Sequence, residues 1–183
     1  SLRIVGGELG GRRIAVPPGI RPTGSRLREA LFGIWADRVV GSRFVDLFAG
    51  SGAVGLEALS RGARDVVLVE GEPSVWRITR RNAEDLGAAA ASVVRARLPE
   101  QIDRVPGAAW DLVFADPPYE FDDYRTLIER SGSRLAPGGR LAIEHATRVE
   151  LPDSTETLEA IDHRNYGDSR LTIYRATSAD ARC

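Results

Sequence analysis

Val45-Asp46-Leu47-Phe48-Ala49-Gly50-Ser51-Gly52-Ala53-Val54-Gly55-Leu56-Glu57-Ala58-Leu59 reads as a strand, a tight glycine turn and a helix. Gly50, Gly52 and Gly55 satisfy the G-x-G-x-x-G spacing, in which missing Cβ atoms let the backbone approach a ligand beside a helix N-terminus. A second strand, Val66-Val67-Leu68-Val69-Glu70, follows and ends in a carboxylate placed to accept hydrogen bonds from both hydroxyls of a ribose. From residue 44 onward, strands at 44–48, 66–70, 92–95, 111–115 and 140–145 are expected, with helices at 53–60, 74–86 and 123–135. Such alternation predicts an α/β fold, a doubly wound and mostly parallel sheet covered by helices on both faces. The stretches 156–164 and 169–176, around Asn165-Tyr166-Gly167-Asp168, read as an antiparallel hairpin at the sheet edge, and residues 88–91 as a loop or frayed helix end.

Upstream, Arg3-Ile4-Val5 and Arg12-Arg13-Ile14-Ala15-Val16 read as two short strands around a glycine-rich turn, ended by Pro17-Pro18-Gly19. Leu27, Ala30, Leu31, Ile34 and Trp35 then mark one face of a helix. The expected organisation is a small basic β-hairpin extension over residues 1–22 and one domain over residues 23–183.

With 183 residues, 43% hydrophobic and 28% charged, the chain has the balance of an ordinary globule. No apolar run approaches the roughly eighteen residues of a membrane helix, and the N-terminus lacks the apolar core of a secretion signal, so a cytoplasmic location without membrane attachment is expected. Nothing demands more than a monomer. The single cysteine, Cys183, excludes a disulfide framework. Metal chemistry is disfavoured because His145 and His163 lie in apolar, strand-like stretches with no second histidine at ligand spacing. The net charge of −1 hides a division: residues 1–43 carry a balance of +5 and the remainder −6, all of the positive charge coming from arginine. Arginine suits bidentate phosphate recognition and stacking on bases, and a solvated charged face is the competing reading of this segment.

Two ligands compete for the glycine turn, a dinucleotide and S-adenosylmethionine. A pyrophosphate wants the helix N-terminus free of anions, yet Asp46 sits just before the turn and would repel phosphate. The same carboxylate suits the ammonium group of a methionine moiety. Asp46-Leu47-Phe48-Ala49-Gly50-Ser51-Gly52 also resembles motif I of class I methyltransferases. The candidate cofactor contacts are therefore Asp46, Phe48, Ala49, Gly50, Ser51, Gly52, Glu70 and Gly71.

Downstream, an apolar strand runs into Asp116-Pro117-Pro118-Tyr119. The double proline cannot continue the strand and stiffens the turn, holding the Asp116 carboxylate, the Pro117 carbonyl and the Tyr119 ring in a nearly fixed arrangement. In a doubly wound sheet the first and fourth strands are neighbours, so Asp116 is expected beside the Gly50–Gly52 loop. The tetrapeptide matches the D-P-P-Y motif of amino-directed methyltransferases. An exocyclic amine is a poor nucleophile because its lone pair is delocalised into the ring. Two acceptors, Asp116 and the Pro117 carbonyl, can hold its N–H groups so that the lone pair faces an electrophilic methyl, while Tyr119 stacks on the flipped base.

Across nearly its whole length the chain resembles the RsmD-type 16S rRNA (guanine-N2)-methyltransferases of bacteria. Besides the two motifs, the resemblance rests on Gly6-Gly7, Gly11-Arg12-Arg13, Arg21-Pro22-Thr23, Arg28-Glu29-Ala30-Leu31-Phe32, the run Gly55-Leu56-Glu57-Ala58-Leu59-Ser60-Arg61-Gly62-Ala63, and Tyr166-Gly167-Asp168. It implies a Rossmann-like class I methyltransferase fold and methyl transfer from S-adenosylmethionine to N2 of one guanine in 16S rRNA, within the small ribosomal subunit or an assembly intermediate. It further implies that Asp116, Pro117 and Tyr119 form the active site and that the basic N-terminal arm contacts RNA; Arg12, Arg13, Arg21 and Arg28 are the candidates for phosphate, with a pairing to Glu29 or a neighbouring acid on the helix surface as the competing reading for Arg28. One segment departs from the pattern. Such enzymes often carry an acidic or amide side chain near the adenine after the third strand, whereas Val94-Arg95-Ala96-Arg97-Leu98 offers arginines, which leaves backbone groups and apolar packing to hold the adenine. The competing functions are an amino methyltransferase acting on DNA adenine or protein glutamine, and a nicotinamide-dependent oxidoreductase. Size argues against the DNA enzyme, since 183 residues leave no room for a separate target-recognition domain, and the oxidoreductase reading leaves Asp116–Tyr119 unexplained.

Overall fold

A seven-stranded sheet forms the centre of the computed structural model, which describes residues 1–177 and leaves Cys183 outside the described residues. Its first strand, β3 (Arg43–Asp46), is flanked by β4 (Asp65–Glu70) and β6 (Trp110–Ala115), both parallel to it. Outward from β4 lies β5 (Ala91–Arg95), and outward from β6 lie β7 (Leu135–Ala146), β9 (Ser169–Ala176) and β8 (Leu158–Tyr166). The β7, β9 and β8 pairings after the parallel core are antiparallel, so the expected edge hairpin is present. The inner strands read as unbroken apolar runs because both of their faces are covered. One face packs against α1 (Ser25–Ile34), α2 (Ala53–Ser60) and α3 (Pro73–Asp85), and the other against α4 (Tyr124–Gly132) and the segment 98–105. Phe44 lies between Phe32 and Trp35, each ring centroid 6.0 Å away, and burial of each such side chain contributes about 1.5–3 kcal/mol.

The chain leaves β3 toward β4 on one side and returns to β6 on the other, so the sheet order reverses between β3 and β6. In register, Asp46 stands opposite Phe114, and Asp116 is two residues further along the neighbouring strand. Carboxyl ends of strands at such a reversal open a crevice for ligands.

The N-terminal hairpin, β1 (Leu2–Arg3) paired with β2 (Arg13–Ile14), is fastened to the rear of α2. Glu57 accepts from the backbone N–H groups of Val5 (3.1 Å) and Gly6 (2.9 Å), and the Ser60 hydroxyl accepts from Leu9 N–H (2.8 Å). At Gly7, φ is +78° and a Cβ would fall 1.9 Å from the Ser60 carbonyl oxygen, so only glycine fits. Gly6-Gly7 and Glu57 to Arg61 are thus two halves of one joint.

Three expectations need correction. The helix expected over 123–135 stops at Gly132, where a Cβ would meet Thr157 and Leu158 at under 3 Å. Leu135 instead opens β7 opposite Trp110, and an irregular register between Trp110 and Leu112 absorbs the turn through Gly138 and Gly139. Residues 88–91 divide, since Ala91 already belongs to β5. His145 and His163, far apart in sequence, meet over one hydroxyl: Thr172 Oγ1 lies 2.8 Å from His145 Nε2 and 3.3 Å from His163 Nδ1, with His163 exposed. No helix among the described residues is long and apolar enough to cross a membrane.

Candidate active site

The turn after β3 folds over its own carboxylate. Asp46 is 1% exposed, and its Oδ2 accepts from Gly55 N–H at 3.3 Å while Oδ1 has no partner. Burial, together with repulsion from Glu70, pushes this carboxyl up to about 7 against the backbone N–H groups that favour its charged form. Gly52 is the α2 N-cap in the left-handed region at φ +85°, the conformation that turns the chain sharply into the helix. A Cβ at Gly55 would lie 2.2 Å from Leu68 Cδ2, so the third glycine is what lets α2 press onto β4.

Glu70, at the end of β4, accepts from Gly50 N–H (3.1 Å) and Glu72 N–H (2.9 Å), which fixes its carboxylate at the rim of the turn. Two buried side chains of α3 hold the loop from below. Thr79 donates its hydroxyl to the Gly50 carbonyl, and Asn82 Nδ2 donates to the Ser51 carbonyl at 2.8 Å. Asn82 also exchanges hydrogen bonds with both backbone groups of Ala15, at 2.8 and 2.9 Å. One amide thereby ties the N-terminal segment to the glycine turn. Neither Thr79 nor Asn82 is evident in the sequence, where they are merely the polar residues of an amphipathic helix.

Beside Gly71 opens a cavity of about 450 Å³, lined by Gly71, Pro73, Ala96, Gln101 and three arginines, Arg95, Arg97 and Arg104, with Glu100. An amide side chain does reach this region, from further along the chain than expected: Gln101 Oε1 accepts from Arg97 N–H at 2.8 Å. Phe48 packs edge-on against Phe121 and Phe121 against Tyr124, a row of rings set against the core beneath α4.

On the β6 side, Asp116 accepts from the Thr23 hydroxyl at 3.2 Å. Thr23 belongs to the Arg21-Pro22-Thr23 segment, which the sequence marks without giving it a task. Because Ala115 is in register with Ile143, the next residue on β7, Glu144, emerges beside Asp116. The two carboxyl groups stand close enough for each to shift the other's charge state. Burial and the neighbouring Glu144 push Asp116 well above the usual carboxylate range, and burial pushes Glu144 up as well, against hydrogen bonds from Asp116 and Ser169 and the charge of Arg21. Glu144 Oε2 is buried without a partner. Sequence reasoning missed Glu144, although it is the only acid in the apolar strand after the tetrapeptide and has the same parity as Asp116. Tyr119 is 80% exposed, with the Arg148 guanidinium over its ring, 4.8 Å from the centroid.

The structure brings Asp46, Gly50, Ser51, Gly52, Glu70 and Gly71 to one side of the crevice and Asp116, Pro117 and Tyr119 to the other. Arg12, Arg13 and Arg21 are exposed. Arg12 also donates to the Asp85 carbonyl (3.1 Å). Arg28 does not join them. It is 1% exposed, donates to the Arg3 carbonyl (3.1 Å) and pairs with Glu57 at 3.9 Å, so its expected phosphate contact is replaced by an internal tie between α1, the hairpin and α2.

Residues 2–175 match the family described as Conserved hypothetical protein 95. The chain is 40% identical over 152 residues to Ribosomal RNA small subunit methyltransferase D of Escherichia coli (strain K12), covering 82% of this chain and 74% of that protein. Among solved structures, it superposes on the Escherichia coli protein yhhF, described provisionally as a methyltransferase, with a TM-score of 0.84 at 31% identity, over 97% of this chain and 98% of that one. A hypothetical protein of Thermus thermophilus superposes with a TM-score of 0.78 at 35% identity, over 94% and 98%. The reversed sheet with its glycine turn and Asp-Pro-Pro-Tyr, and these matches over most of its length, establish that the chain belongs to the family of ribosomal RNA small subunit methyltransferase D.

Proposed function

We propose that this protein transfers a methyl group from S-adenosylmethionine to the exocyclic N2 of a guanine in the 16S rRNA of the small ribosomal subunit. The observation that carries the reading is the placement of Asp46 and Asp116 on adjacent parallel strands, at the two lips of one crevice. The cradle fits the cofactor on its own chemistry. Asp46 offers a buried oxygen without a partner to an ammonium group, and Glu70 stands at the rim where ribose hydroxyls would lie. Bound there, S-adenosylmethionine supplies an electrophilic methyl on a sulfonium. Asp116 and the Pro117 carbonyl accept the two N–H groups of the amine and aim its lone pair at that methyl, and they stabilise the charge that grows on nitrogen. Asp116 is also placed to take the proton that N2 releases once it is methylated. Tyr119 offers a face for the extruded base, and the exposed Arg12, Arg13 and Arg21 offer charge to the RNA backbone.

The test is transfer of labelled methyl to three samples in parallel: small subunits from a strain lacking the enzyme, their deproteinised RNA, and duplex DNA. N2-methylguanosine in either ribosomal sample is the expected outcome. Label confined to DNA, or absent despite cofactor binding, overturns the substrate assignment.

A further inference from the structure

The acidic pair at the substrate lip does more than accept from an amine. We propose that Glu144 is the residue that selects guanine, by accepting the ring N1–H while its neighbour Asp116 accepts from N2. The inference rests on the proposed guanine-N2 reading and adds to it the group that reads the base.

Among the four RNA bases, guanine alone has an exocyclic amine next to a ring N–H. Adenine and cytosine have a ring acceptor at the corresponding position, N1 and N3. A site built only to methylate an amine needs acceptors for the amine. A site that must choose guanine needs one more acceptor, one atom further along the same edge, which is how a flipped base is commonly read. The register of β6 and β7 supplies it, since Ala115 opposite Ile143 places Asp116 and Glu144 side by side on one face of the sheet. Glu144 is part-buried and its Oε2 has no partner, a state that costs free energy unless a donor arrives. The surrounding groups hold the pair without supplying a donor to that buried oxygen: Thr23 donates to Asp116, Ser169 stands beside Glu144, and Arg21 is the nearby cation. In the free protein burial and mutual repulsion favour a proton on the pair. Docking of a base edge with two adjacent donors lets that proton leave to water, and both carboxylates then accept from the base. An adenine or cytosine edge would instead press a ring lone pair against Glu144.

The assay compares labelled methyl transfer to small-subunit RNA carrying, at the position methylated by the wild type, either guanine or 2-aminopurine, which keeps the N2 amine but has an acceptor at N1. Wild-type protein is expected to favour guanine by about 10²-fold or more in kcat/KM. Glu144→Gln, whose amide can donate to N1, is expected to shrink that preference at least tenfold. Glu144→Asp, which withdraws the acceptor without adding a donor, is expected to slow guanine without gaining 2-aminopurine. Thermal melting of each variant separates these effects from misfolding. An unchanged ratio in a folded Glu144→Gln variant overturns the inference and leaves the guanine-N2 reading intact. So does equal use of the two bases by the wild type, which decides the matter even if the variants do not fold. Absence of transfer to any ribosomal sample overturns both.

Discussion

The rear of α2 and the crevice at the strand ends both bury carboxylates, and they treat them in opposite ways. Glu57, 0% exposed, is saturated: two backbone N–H groups, Arg61 at 3.0 Å and Arg28 share its two oxygens. Asp46 and Glu144 each retain an oxygen without a partner, and Asp116 shares its site with a second acid. A saturated carboxylate is a fastening. Under-satisfied carboxylates grouped around a crevice destabilise the free protein, and that deficit is recovered when a ligand brings donors or positive charge.

Replacing one member of each group should move stability in different directions. Glu57→Ala leaves the buried Arg28 without its counter-charge and two backbone N–H groups without acceptors, a loss of about 3–5 kcal/mol. At roughly 2–4 °C per kcal/mol for a domain of this size, the melting temperature is expected to fall by on the order of 10 °C. A fall of less than about two degrees would mean that the hairpin joint is not what holds the N-terminus. Asp116→Ala is expected to leave melting unchanged or raise it, because Glu144 loses a competing acid, while methyl transfer slows by about 10²-fold or more and cofactor affinity changes little. Wild-type turnover in this variant would remove Asp116 from the chemistry.

The crevice is legible in the sequence to the extent that its groups are contiguous. Asp46 to Gly52, Glu70 and Asp116 to Tyr119 each announce themselves by local spacing, and the alternation of strands and helices puts them at neighbouring strand ends. What stays hidden depends on register and packing. Glu144 stands at this lip because β7 pairs with β6 in a particular alignment, and Thr23 because the extended segment before α1 reaches Asp116. Asn82 bonds to Ala15 and Ser51, distant in the chain. Arg28 misleads for a related reason. Its charge is plain in the sequence, but whether an arginine on a helix faces water or a buried glutamate is decided by which neighbour lies above it.

Asp46 sharpens the comparison through pH. Its folded carboxyl is pushed up to about 7, well above an unfolded aspartate near 4. Between those values the folded state holds a proton that the unfolded chain releases, so this contribution to stability is present below about pH 4 and is lost as pH rises toward 7. Binding of an ammonium group requires the charged form. Cofactor binding at pH 6 should therefore expel up to about one proton, seen as a dependence of calorimetric heat on buffer ionisation enthalpy. Asp46→Asn should abolish most of that proton release, weaken cofactor binding about tenfold or more, and flatten stability between pH 4 and 7. Buffer-independent heat in the wild type would show that Asp46 is already ionised in the free cradle.

The smallest effect concerns the arginines, and it tests whether the two regions divide the labour as their carboxylates suggest. Arg28 is enclosed by the joint, whereas Arg12 and Arg13 stand in solvent on the same N-terminal segment. Sequence offers all three as phosphate contacts, with a pairing to a neighbouring acid as the competing reading for Arg28. Removing exposed guanidinium groups disturbs no core packing, so Arg12→Ala with Arg13→Ala is expected to leave the melting temperature within about one degree of wild type. If these side chains neutralise phosphates, every guanidinium–phosphate pair removed releases one counterion fewer, and the slope of log affinity for small-subunit RNA against log salt should decrease by about one per pair. Arg28→Ala should do the reverse, lowering the melting temperature while leaving the salt slope of the folded fraction as it was. A shared decrease of slope in both variants would mean that the joint positions the RNA surface as well as the chain, and the distinction between fastening and site would fail at this point of the molecule.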